Sequence, residues 1–164
     1  MKPILFNTEM VRAILDGKKT QTRRPVKEYI EYEPGDILYV RETFTDIPET
    51  FSGNIHYRAD FTEVGLKWFE EEGWNWKPSI HMPKEAARLF VKVTDVRVER
   101  IQDIKEEAVW AEGFKDIFDD DVFTAAGLNF KKIWDEIYKS KGYSWESNPY
   151  VWVIEFERCE KLDE

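Results

Sequence analysis

With 164 residues, 42% of them apolar and 15% aromatic, the chain can bury a core as one domain and falls outside the disordered class. Its formal charge of -9, from 33 acidic and 24 basic residues, argues against a broad face for polyanions. The lone Cys159 excludes an internal disulfide, and two histidines without Cys-x-x-Cys or His-x-x-x-His spacing give no zinc signature.

The first residues, Met1 to Asn7, hold a three-residue apolar run, too short for a signal peptide or a membrane span. A cytoplasmic protein with no membrane partner is therefore expected. Thr8 reads as the N-cap of a short helix with Met10, Val11, Ile14 and Leu15 on one face, closed by Gly17. Lys19 to Arg24 then reads as a strand in which Thr20, Thr22 and Arg24 share a face and Pro25 ends the run.

Glu33-Pro34-Gly35-Asp36 is a turn signal, and Ile37-Leu38-Tyr39-Val40 after it suits a buried strand. His56 to Asp60 is a further strand candidate, and Trp74 to Pro83, without periodicity, reads as an ordered loop. The longest strand signal runs from Leu89 to Ile101, with Val91, Val93, Val96 and Val98 alternating with polar residues apart from a slip at Thr94-Asp95 that predicts a bulge.

Asp103 and Glu106 form a capping-box pattern for a helix through Ala111 that stops at Gly113. The Asp119-Asp120-Asp121 run reads as a loop into an amphipathic helix over Val122 to Tyr138, carrying Phe130, Ile133, Trp134 and Ile137. Tyr150 to Phe156 is an apolar run expected as a central strand. Strands interrupted by two or three helices predict a small α+β domain spanning residues 1-164, as a closed or partly closed barrel.

Within this acidic chain, the stretch from Arg12 to Lys27 holds six basic residues (Arg12, Lys18, Lys19, Arg23, Arg24 and Lys27) against Asp16 alone. A solvated charge run and a binding site are both open readings of it. The carboxylate of Glu112, in the last turn of its predicted helix, faces the unfavourable end of the helix dipole and gains no cap from it. It is either exposed, salt-bridged, or placed for chemistry. Arg24, two residues after Thr22 on the same predicted face, is a substrate-binding candidate, since a guanidinium can grip a phosphate or a base oxygen. Arg23, facing the other way, reads as a surface or structural cation, and Lys18 and Thr20 are secondary binding candidates.

Gly17, Lys19 and Arg24 meet the pattern Gly-x-Lys-x-x-x-x-Arg, and by it the chain resembles the ASCH superfamily, whose barrel is related to the PUA domain. Lys2-Pro-Ile-Leu-Phe6, Pro34-Gly-Asp-Ile-Leu38, Val40-Arg-Glu-Thr43, Trp76-Lys-Pro-Ser-Ile-His-Met-Pro83 and Ala111-Glu-Gly113 resemble a phage and prophage branch of it. The superfamily includes an amidohydrolase acting on N(4)-acetylcytidine, a ribonuclease, and domains expected to bind RNA. The resemblance to that amidohydrolase implies Lys19, Thr22 and Glu112 as catalytic residues. The segments Thr43 to Met82 and Asp116 to Gly142 depart from it as long insertions.

In that chemistry Thr22, inert at its free pKa, needs a base, and Lys19 supplies one if burial and neighbouring cations lower its own pKa. Glu112 then pairs with Lys19 or passes a proton to the leaving amine. Trp76 is a candidate for stacking on a base, and His81 for substrate binding, with core packing as the plain alternative for Trp76. Neither a metal nor a cofactor is expected. Four functions follow: hydrolysis of an acylated nucleoside, binding of a modified base, RNA or single-stranded nucleic acid without turnover, ribonuclease action, and a protein contact in phage biology. The net charge favours a small enclosed ligand over nonspecific RNA.

Overall fold

The computed structural model describes residues 1–27, 32–46, 55–114 and 122–161. Its strands are β1 (Lys2–Leu5), β2 (Gln21–Pro25), β3 (Ile37–Arg41), β4 (Phe44–Asp46), β5 (Ile55–Tyr57), β6 (Phe90–Arg100) and β7 (Tyr150–Cys159). The helices are α1 (Thr8–Leu15), α2 (Glu63–Glu71), α3 (Glu106–Ala111) and α4 (Val122–Tyr138), joined by short 3-10 turns. One sheet runs in the order β1-β3-β6-β7-β2, and β4 and β5 form a separate hairpin. The α+β class is as expected. The sheet has β1 and β2 as its edges, so no pairing among the described residues closes a barrel. Pro3 and Pro25 sit on those two edge strands, where a missing backbone donor is tolerated.

The chain divides into two compact units, the first comprising Met1–Leu15, Ile37–Val91 and Arg158–Glu164. Here β1 and β3 pair in parallel, Ile4 opposite Val40, with Ile4, Leu38 and Val40 buried. α1 buries Val11 and Ile14 as its periodicity predicts. Its cap differs: Asn7 Oδ1 accepts from Met10 N at 2.8 Å, so Asn7 serves where Thr8 was expected, and Thr8 is buried. Arg12 points off this helix to the carbonyls of Ala59 at 2.9 Å and Phe61 at 2.6 Å.

α2 is an element the periodicity did not single out. Thr62 caps it by accepting from Gly65 N at 3.2 Å, and Phe69 is its buried residue. Around Phe69 gather Phe61, Trp74 and Trp76, ring to ring. The expected strand at His56 to Asp60 is shorter, covering β5, after which Arg58–Asp60 turns as a 3-10 segment. Trp74 to Pro83 is the expected ordered loop, pinned by Phe44 and Lys77 bonding both ways at 2.8 and 3.2 Å.

The second unit comprises Asp16–Asp36 and Lys92–Glu157. Its core sets Phe130, Trp134 and Tyr138 of α4, whose bounds match the amphipathic pattern, against Val109 of α3 and Val151 and Val153 of β7. β7 lies between β6 and β2, the central place its apolar run predicts. The capping box at Asp103 and Glu106 does not form: Lys105 occupies the N-cap with no side-chain bond, and Asp103 belongs to the 3-10 turn Ile101–Asp103 before it. β6 continues through Thr94-Asp95, and Val98, expected on the apolar face, is exposed. The Asp119-Asp120-Asp121 run lies outside the described residues.

Candidate functional site

The centre of the site is a buried charge cluster in the second unit. Lys19 and Glu112 face each other as an isolated antiparallel bridge, a pairing that sets two side chains on one face. Their neighbours fix the register, because Thr20 N donates to Ala111 O at 2.7 Å and Phe156 N donates to Thr20 O at 2.9 Å. Gly113, at φ 101, then turns the chain immediately after Glu112, which only glycine does without strain.

Lys19 Nζ donates to Glu112 Oε2 at 2.7 Å and to the Glu112 carbonyl at 3.1 Å. The other oxygen, Oε1, accepts from Arg23 Nη1 at 2.9 Å. One carboxylate thus holds two cations with almost no solvent exposure: the side chains of Lys19, Arg23 and Glu112 are 0%, 1% and 4% exposed. Burial lowers the Lys19 pKa below the ordinary lysine value, Arg24 and Arg23 push the same way, and Glu112 opposes them.

From Arg23 the bonding continues as a ring. Arg23 reaches Gln21 Oε1 at 3.3 Å and Glu99 Oε2 at 3.5 Å, and Gln21 Nε2 donates to Glu155 at 2.8 Å. Arg97 closes it, bonding Glu99 Oε1 at 2.6 Å, Asp95 at 2.9 Å, and Glu155. Burial works against the Arg97 cation, but these three carboxylates outweigh it and raise its pKa. Asp95, Arg97 and Glu99 alternate along β6, so the change from apolar to polar at Thr94-Asp95 is where the buried face becomes an acid-base ladder. Beside this ring lies a cleft of about 290 Å3 lined by Gln21, Arg23, Arg97, Glu99 and the start of α3.

Of the residues singled out from the sequence, Lys19 and Glu112 meet. Thr22 is buried in β2 opposite Ile154, and strand alternation turns it away from Arg23; the hydrogen bonds described for the Lys19–Glu112 pair do not include its hydroxyl. Arg24 donates to the Tyr138 hydroxyl at 3.1 Å. Lys18 is partly exposed 4.0 Å from Asp16, and the Thr20 side chain is exposed. Trp76 and His81 belong to the first unit: Trp76 stacks on Phe69 at 4.2 Å, and His81 is exposed at the end of a 3-10 turn. Arg23, Gln21, Arg97 and Glu99 were passed over as site residues. Period-two alternation from Lys19 through Gln21 to Arg23 is the signal that could have found the first two.

Among the described residues no three His, Cys, Asp or Glu side chains gather as a metal site, and no helix is long and apolar enough to cross a membrane.

No protein-family model and no curated protein matches the sequence. Among solved structures, protein EF3133 from Enterococcus faecalis V583, described by family model DUF984, is similar with a TM-score of 0.50 at 10% identity. The likeness covers 90% of this chain, which spans 65% of that protein's length. An ASCH domain from Lactobacillus crispatus JV V101 aligns at a TM-score of 0.47 and 13% identity, over 90% of this chain and 70% of that one. At such identity the first likeness shows a common fold and nothing about activity.

Proposed function

We propose that this chain is a nucleic-acid-related domain of ASCH type that holds a nucleoside-sized ligand in the cleft beside Lys19, Arg23 and Glu112. One observation carries the reading: a buried cluster of three charges opens, through Arg23, onto a small cleft. Buried ions contribute little net stability compared with an apolar core of the same volume, so a buried charge cluster whose Arg23 lines a cleft supports a site there. At about 290 Å3 the cleft is at the small end of ligand pockets, the size for one base rather than a strand.

A second reading, hydrolysis of an acyl amide on the base, is favoured by the lowered pKa of Lys19. In its deprotonated form Lys19 would take a proton from the attacking water as the new C–O bond forms, or from Thr22, whose acyl ester a water would then cleave. Glu112 relays that proton to the departing amine as the C–N bond breaks, and the cation of Arg23 faces the charge developing on the carbonyl oxygen.

The test is a nucleoside panel that includes acetylated cytidine, followed by NMR titration and by chromatography, with wild type beside Lys19→Ala checked by circular dichroism. Saturable binding without product supports the first reading. Product that disappears in Lys19→Ala supports the second, and neither binding nor turnover by folded wild type overturns both.

A further inference from the structure

On the face of the sheet opposite the cleft, apolar side chains lie open to solvent. Tyr150 of β7 is 53% exposed and Val98 of β6 is 46% exposed. Val26, just past β2, is exposed beside Tyr150, to whose carbonyl its N–H donates at 3.0 Å. Arg100, two residues after Val98 and so on the same face, sets its guanidinium carbon 3.7 Å from the centre of the Tyr150 ring. The acidic residues of β2, β6 and β7 are Asp95, Glu99, Glu155 and Glu157, all at the alternate positions that share the cleft side with Arg97. The charged residues that face the other way in the second unit are Arg24, Lys92 and Arg100, with Lys27 exposed just beyond β2. Within a chain of charge -9, this is an apolar patch with a wholly basic rim.

Helix α2 presents the reverse. Phe69 is its buried residue, while on its outer side Val64 and Trp68, one turn apart, are 80% and 47% exposed. Trp74 meets Trp68 edge to face at 5.2 Å and enlarges the apolar area. Glu63, Glu71 and Glu72 are exposed around it, and Lys67, the one cation of this helix, lies 3.9 Å from Glu71. Exposed apolar residues scattered singly are ordinary, whereas Tyr, Trp and Arg grouped with aliphatic neighbours are the composition of a contact surface.

We propose that α2 of one copy of this chain docks on the Tyr150 face of a second copy. Val64 and Trp68 cover Tyr150 and Val98, and the carboxylates of Glu71 and Glu72 meet the basic rim. Charge selects this pairing over the symmetric ones. The Tyr150 face against itself sets Arg100 and Lys27 against their own copies, and α2 against itself sets carboxylate against carboxylate, each a like-charge contact that opposes association. Crosswise, acid meets base around two apolar centres. Such a contact joins different surfaces of the two copies, so it repeats into a ring or an open chain rather than stopping at a two-fold dimer. It needs nothing from the cleft, which lies on the opposite face of the sheet.

Analytical ultracentrifugation of the full chain tests this, over about 1 to about 100 μM, the range of a small interface. Wild type should rise in mean mass above the 19.6 kDa monomer as concentration increases. Arg100→Glu, and separately Glu71→Arg with Glu72→Arg, should each weaken association at least about ten-fold. The arginines stand at the C-terminal end of α2, where the helix dipole favours them, so that variant keeps its fold should Arg100→Glu fail. Mixing the two variants should restore association, because the acidic Tyr150 face of one now fits the basic α2 of the other. Wild type that stays monomeric throughout overturns the proposal, as does association that neither variant weakens or that mixing does not restore. Oligouridylate or polyglutamate that binds monomeric wild type and is lost in Arg100→Glu would give the face to a nucleic acid or an acidic protein, and overturn it equally.

Discussion

Replacing Glu112 by Gln isolates the charge that holds the cluster together. The substitution keeps the shape and leaves one acceptor oxygen for two donors, Lys19 Nζ and Arg23 Nη1, now 2.7 and 2.9 Å from a neutral amide. Neither cation has water to turn to, at 0% and 1% side-chain exposure. Removing one partner of a buried ion pair costs about 3–5 kcal/mol. Lys19 has a way out, because it can shed its proton; for an ordinary lysine at pH 7 that costs about 4.6 kcal/mol, and the lowered pKa makes it cost less. Arg23 cannot deprotonate, but keeps Gln21 at 3.3 Å and Glu99 at 3.5 Å. The expected loss is therefore about 3–4 kcal/mol, at the lower side of the range for breaking a buried pair.

Urea unfolding followed by the fluorescence of the seven tryptophans measures it. Adding Lys19→Met to Glu112→Gln should recover part of the loss, with a coupling of about 1–3 kcal/mol in the double-mutant cycle. A change below about 1 kcal/mol for Glu112→Gln, the range of a surface pair, would refute the buried-cluster reasoning.

The lowered Lys19 pKa sets a pH dependence with a definite sign. Between its folded and its unfolded values the unfolded chain binds more protons, so stability rises with pH through that window and levels off at the ordinary lysine pKa. Measured against Lys19→Met, wild type should gain stability on the alkaline side, by at most about 1.4 kcal/mol per pH unit; a flat difference would show that Lys19 titrates as an ordinary lysine. In the first unit, Arg88 bonds buried Glu42 at 2.9 and 3.1 Å and Asp60 at 2.6 and 2.8 Å, lying 4.0 Å over the Tyr57 ring. Arg88→Met should destabilise by about 2–3 kcal/mol in the same unfolding assay, partly relieved at low pH where Glu42, its pKa raised by burial, takes up a proton. Equal loss at acid and neutral pH would contradict that account.

Local periodicity carried most of the framework. α4 repeats an apolar face over its whole length, and β7 is a continuous apolar run, so both were legible from spacing alone. α2 was not, since its amphipathic stripe meets little buried surface beyond Phe69 and Gly65 lies in its first turn. The cap at Asn7 differed from expectation because neighbouring Asn and Thr both suit a cap, whereas the helix start at Lys105 has no side-chain cap at all.

The sequence by itself determined the α+β class, the order of the main elements, and the placing of Lys19 and Glu112 as candidates worth attention. What the tertiary structure decided is their company. Lys19 and Glu112 stand 93 residues apart and Arg23 and Glu112 stand 89 apart, and no periodicity of two or 3.6 extends over such a separation. The register of β2 against β7 turned Arg23, rather than Arg24, toward Glu112, because a one-residue shift in a strand exchanges its faces. A charge run that left both a solvated and a binding reading open when counted along the chain thus divides on folding, with Lys19 and Arg23 buried against a carboxylate and Lys18 left partly exposed.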